Sequence, residues 1–166
     1  MGFESFQVEL CGGNASAREA ENEIMALENI SEDHDSIMVT GSSYFLMRDG
    51  RHAIEMELTH SPIRISCRFT VCHPPSVDAV FLDLVRRLME MFDMKVSICD
   101  DVTPDDARNF SLAEFDDFAR STLRYIELRR REWRGAFGDQ QLGATTAELH
   151  EHILLPLCQT PVEKAG

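Results

Sequence analysis

Between Ser43 and Val71 the chain carries two turn signals that set three strands against one another. Asp49-Gly50 sits between alternating apolar residues, and a type I′ hairpin favours this dipeptide because both central residues need positive φ. His60-Ser61, followed by Pro62, supplies a second two-residue turn. Counting outward from these loops puts Phe45 opposite Ile54, and Ile54 opposite Cys67. Met47, His52 and Phe69 form the next row, and Ser43, Met56 and Ile65 the row on the other side. Nearly every apolar residue then shares one face, which a one-residue slip in either hairpin would undo. The expected unit is an antiparallel meander with one buried and one solvated face.

On the solvated face the same count puts Leu46, Ala53 and Arg68 in one row, with Arg48, Arg51 and Thr70 in the adjacent one. Tyr44, Glu55 and Ser66 lie on the other side, then Glu57 opposite Arg64. Arg48, Arg51 and Arg68 are expected side by side, with Tyr44 and Leu46 next to them. Arg and Tyr recur at the energetic centres of interfaces. Tyr44, Leu46, Arg48, Arg51 and Arg68 are therefore the candidate binding residues. The plain alternative is a hydrated face laced with cross-strand ion pairs such as Glu57–Arg64, each worth under about 1 kcal/mol.

The rest of the chain reads as helices and strands around this meander. Phe6, Val8 and Leu10 alternate as an opening strand ended by Gly12-Gly13. Ser16 and Glu19 have capping-box spacing, and Ala20, Ile24, Leu27 and Ile30 give a first helix its apolar stripe. Ser31 to Ser36 reads as an acidic loop, and Ile37 to Thr40 as an extension of the second strand. Ser76, after Pro74-Pro75, is expected to cap a second helix with the stripe Val77, Val80, Phe81, Leu84, Val85, Leu88 and Met91. Met94, Val96 and Ile98 read as one more strand, and Thr103-Pro104 as a helical turn. Ser111 and Glu114 repeat the capping box before a long helix, about Leu112 to Arg134, lined by Phe115, Phe118, Ala119, Thr122, Ile126 and Trp133. Gly135 to Gly143 is expected as a linker and Thr146 to Leu155 as a last helix.

This order of elements, together with the acidity, resembles type III secretion chaperone-like proteins over about Ser16 to Trp133. The resemblance lies in order and charge, and no residue motif carries it. It implies a small dimeric protein that binds unfolded segments of partner proteins and catalyses nothing. The opening strand, and a single rather than paired strand before the long helix, depart from that pattern. A ferredoxin-like sheet with an added hairpin accommodates the same elements. The expected fold is thus α+β, with an antiparallel-dominated sheet, a three-strand meander and two main helices on its apolar face. It is read as one domain over residues 1–158 with a frayed tail at 159–166.

Charge and composition narrow the function classes. The net charge of −13 on 166 residues argues against nucleic-acid binding, which relies on many Lys and Arg contacts to phosphate. No apolar run approaches a membrane span, and the N-terminus has no signal-peptide pattern, so a cytoplasmic location is expected. Five cysteines at irregular spacing fit reduced thiols better than a disulfide framework.

Few constellations carry chemistry, and no cofactor motif is present. Cys67 and Cys72 fall on opposite faces by parity, Cys72 on the wet one, and His150 and His152 diverge on a presumed helix. Cys72-His73 with Cys99, and Asp100-Asp101, are the remaining candidates for a metal or a small active site, against plain structural readings. Cys11, ahead of a helix start, reads as a small buried hydrophobe. His52 is expected on the apolar face, and the arginines from Arg120 to Arg134 at a solvated helix end. No catalytic residue, metal ligand or cofactor is assigned. The expected function is a non-catalytic protein-binding module of chaperone, adaptor or inhibitor type, with a protein partner or a second subunit in a homodimer. A small-ligand-sensing domain, or a small enzyme using the acidic or Cys/His corner, is the alternative.

Overall fold

A computed structural model describes residues 5–32, 41–99, 102–103 and 105–138. The strands are β1 (Ser5–Cys11), β2 (Ile30–Glu32), β3 (Ser42–Arg48), β4 (Ala53–His60), β5 (Ile63–Thr70) and β6 (Lys95–Ile98). The helices are α1 (Ala17–Met25), α2 (Val77–Phe92) and α3 (Phe115–Phe137), the last entered through a tight turn at Leu112–Glu114. All pairings are antiparallel, in the order β2-β3-β4-β5-β1-β6. The fold is α+β, as the pattern of strands and helices implies. β1 lies between β5 and β6 and opposes both, so those two run parallel with α2 connecting them across it.

Every second residue of the strands turns to one face and meets the helices. Phe6, Val8 and Leu10 of β1, Ile65, Cys67 and Phe69 of β5, and Ile54, Met56 and Leu58 of β4 are buried there. Phe81 of α2 joins Phe6 and Phe69 in a ring cluster, with centroids 5.9 and 4.8 Å away. Fully burying each such ring is worth about 1.5–3 kcal/mol. Ala20 and Ile24 of α1, and Phe118, Ile126 and Trp133 of α3, complete the core. Met91, assigned to the α2 stripe by periodicity, is exposed, and Met89 and Phe92 are buried instead.

Both hairpins keep the expected faces but not the expected partners. Phe45 lies opposite Met56, and Met56 opposite Cys67, so each register is shifted by two residues. In the first hairpin the Asp49 carboxylate accepts the backbone N–H of Arg51 at 2.7 Å and of His52 at 2.8 Å. This Asx-type turn widens the loop to Asp49–His52, and Gly50 does not adopt positive φ. In the second, Pro62 has no N–H to give a ladder, so Ser61-Pro62 forms the turn and His60 pairs with Ile63. A two-residue shift preserves side-chain parity, which is why the apolar face survives it.

Both capping boxes form, Ser16 with Glu19 and Ser111 with Glu114. α1 stops at Met25, before Leu27 and Ile30, and Ile30 opens β2 opposite Met47. Gly13, at φ +82°, brings the β1–α1 loop so close to α2 that a Cβ would lie 2.3 Å from the Phe92 carbonyl oxygen. The expected extension at Ile37 to Thr40, the Asp100-Asp101 pair, Pro104, the helix at Thr146 to Leu155 and the tail all lie outside the described residues.

Candidate functional site

The five residues singled out as a binding patch do not form one cluster. Tyr44, Leu46 and Arg48 alternate along β3 on the outer face, all half-buried. Arg68 is on the same face, two strands away and in the Leu46 row as expected, but Glu55 rather than Ala53 lies between them. There its guanidinium is held by Glu55. Arg51 is not on the sheet at all; it sits in the Asp49–His52 loop. The other acids are matched in the same way. Arg64 meets Glu9 at 3.0 Å rather than Glu57, which accepts from the Tyr44 hydroxyl at 3.1 Å. Among the described residues, the outer face carries four cationic side chains, Arg48, Arg64, Arg68 and Lys95, against three carboxylates, Glu9, Glu55 and Glu57.

Where the Asp49–His52 loop meets the start of α2, the fold assembles four polar groups. Asp49 Oδ2 lies 2.8 Å from His52 Nδ1, and His52 Nε2 lies 2.8 Å from Ser76 Oγ. A carboxylate only accepts, so Nδ1 carries a proton, and in the neutral imidazole Nε2 receives the Ser76 hydroxyl. Partial burial works to raise the Asp49 carboxyl. The hydrogen bonds from the His52 ring and from the N–H groups of Arg51 and His52 outweigh it and hold the carboxyl below its ordinary range. His52 is 6% exposed, not between Met47 and Phe69 as expected but beyond the strand ends. Ser76 occupies the N-cap of α2 without the expected capping bond, since it has αR dihedrals and its hydroxyl is turned to His52.

His73 packs behind this chain of bonds. Its Nε2 accepts the Ala53 N–H at 2.9 Å and its Nδ1 donates to the Thr70 carbonyl at 3.2 Å, which makes it a neutral imidazole. Its ring stacks on that of His52 at 6.4 Å. Cys72, expected on the wet face, is buried, because β5 ends at Thr70 and strand parity ends with it. Cys99 is exposed, and no group of three metal-ligating side chains forms among the described residues. Burial pushes the Cys67 thiol up, and Cys11 is half-buried, donating to Asn109 at 3.6 Å.

The arginines of α3 are mostly structural. Arg120 meets Asp117, Arg129 meets Glu132, and Arg124 meets Asp106. Asp106 accepts hydroxyls from Ser121 at 2.7 Å, Thr103 at 2.8 Å and Tyr125 at 3.2 Å. The Ser121 bond foremost, with those from Thr103 and Tyr125 and the Arg124 charge, overcomes burial and holds the Asp106 carboxyl low. Arg130, buried, grips Asp78 of α2 through both terminal nitrogens at 2.7 and 2.5 Å. Comparison with protein-family models, curated proteins and solved structures gives no significant match.

Among the described residues no helix is long and apolar enough to cross a membrane. Sequence reasoning missed Ser76 as a partner of His52. Ser76 looks like an ordinary cap, and its separation of 24 positions from His52 leaves no spacing signal.

Proposed function

We propose that this chain is a protein-binding module that works through the outer face of its sheet and pairs there with a second copy of itself. The observation that carries this reading is the charge balance of that face among the described residues: four cations against three carboxylates, in a chain of −13. Two acidic molecules repel one another least where their surfaces are neutral. The Arg–Glu pairs are already made within one copy, so they flank the half-buried Leu46 on its β4 side as part of a polar rim. Two twisted sheets stack face to face about 10 Å apart when their side chains interdigitate. Placing Arg at Leu46 puts an extra charge at the centre of the contact. Sedimentation equilibrium is expected to give twice the 18.8 kDa chain mass for the wild type and a single chain mass for Leu46→Arg. A wild type that stays monomeric at about 100 μM, or a Leu46→Arg protein that stays dimeric, overturns this reading.

A further inference from the structure

We infer that Ser76 is an activated nucleophile, and that Asp49, His52 and Ser76 form an acyl-transfer relay that hydrolyses small esters. The inference stands on geometry independent of the outer face. A serine hydroxyl is a weak nucleophile until a positioned base accepts its proton, and the base needs a third group to fix its tautomer. All three are present in order, with 2.8 Å at each link. Asp49 is also anchored by two backbone N–H groups, so the carboxylate that orients the ring is itself fixed.

Exposure is distributed as such chemistry requires. Ser76 is exposed and within reach of a reagent, while His52 is 6% exposed and its ring is kept from water. Ser76 also stands at the positive end of a 16-residue helix, where negative charge developing on a substrate oxygen is favoured. The Ser76 hydroxyl makes no capping bond, since the Val77 and Asp78 N–H groups are taken by the Pro74 and Pro75 carbonyls, and it is free to bond His52 instead. The titratable groups facing His52 are Asp49 and the stacked His73. His73 is held neutral by its two hydrogen bonds, so it does not oppose an imidazolium forming on His52.

In the reaction Ser76 Oγ attacks the ester carbonyl carbon as its proton passes to His52 Nε2. The tetrahedral adduct collapses, the C–O bond to the alcohol breaks, and the alcohol leaves with the proton from Nε2. Water then gives its proton to Nε2 and attacks the acyl-serine, and collapse returns the proton to Oγ and releases the carboxylic acid. Ser76 and His52 touch the reacting atoms; Asp49 is a positioning residue.

The test uses a fluorophosphonate probe, which phosphonylates Oγ with loss of fluoride, and p-nitrophenyl acetate as the ester. Peptide mass spectrometry is expected to place the adduct on Ser76 in the wild type and to find none in Ser76→Ala. His52→Asn is expected to slow both reactions about 100-fold or more, the scale of general-base catalysis. Asp49→Asn, which removes the carboxylate that selects the tautomer, is expected to slow them at least about 10-fold and to alter the pH dependence of acylation. Far-UV circular dichroism checks that each variant is folded, and His52→Gln serves if His52→Asn is not. No adduct at Ser76, or folded His52 variants that react as fast as the wild type, would reduce these three residues to a clamp between loop and helix.

Discussion

Replacing Asp78 by Ala is expected to cost about 3–5 kcal/mol, the range for removing one member of a buried ion pair. The structure supports the upper part of that range. The Arg130 side chain is 6% exposed and Asp78 16%, and both terminal nitrogens of Arg130 bond to the carboxylate. With Asp78 gone, a guanidinium stays between α2 and α3 with nothing to offset its desolvation. For a domain of this size the loss corresponds to roughly 6–20 °C in melting temperature. Urea unfolding followed by circular dichroism measures it. Asp83→Ala removes an ion pair on the same helix, to Arg87, in which both side chains are more than half exposed, and is expected to change stability by under about 1 kcal/mol. The double variant Asp78→Leu with Arg130→Met replaces the pair by apolar volume and is expected to recover most of the loss. An Asp78→Ala protein within about 1 kcal/mol of the wild type would refute the argument that this pair is buried and matched.

Gly13→Ala is expected to destabilise by about 1–3 kcal/mol, since it adds a Cβ 2.3 Å from the Phe92 oxygen at a φ of +82°; thermal melting measures it, and an unchanged melt would mean the loop is not seated against α2. The backbone N–H of Ser111, then Arg108 and the Ser111 hydroxyl, hold the Glu114 carboxyl down to about 2, from an ordinary 4.5. A carboxyl lowered on folding adds stability that is complete above 4.5 and is lost as pH falls toward 2, so the start of α3 is expected to fray over that window. The Glu114 side-chain carbon shift in an NMR titration reads it directly, and a midpoint near 4.5 would contradict the capping box.

Much of the fold was legible because it depends on parity and local caps. The apolar rows of β3, β4 and β5 follow from alternation, and parity does not change when a loop grows from two residues to four. The partners were not legible, because they depend on what Asp49 and Pro62 do with single hydrogen bonds. Ser16–Glu19 and Ser111–Glu114 announce themselves by spacing, as both partners lie within one turn. Arg130–Asp78 and His52–Ser76 do not, since each joins elements whose approach is set by core packing. On the outer face the two shifts cancel between β3 and β5, so Arg68 keeps its place in the Leu46 row, while Glu55 replaces Ala53 between them and pairs with Arg68. Arg51 failed because the loop claimed it.

The position of β1 in the sheet has a consequence for synthesis. Gln7 bonds to Ser66, 59 residues later, and Ser97 bonds back to Glu9 across 88 residues. At about 5–20 residues per second of translation, β1 leaves the ribosome about 3–12 s before β5 and about 4–18 s before β6. Over that interval Phe6, Val8 and Leu10, all fully buried in the finished protein, have no strand to pair with. The β3–β4–β5 meander needs nothing from β1 for its own ladders and is free to form first. β1 is then the keystone: emerging first, docking only once β5 is made, and giving β6 its place in the sheet.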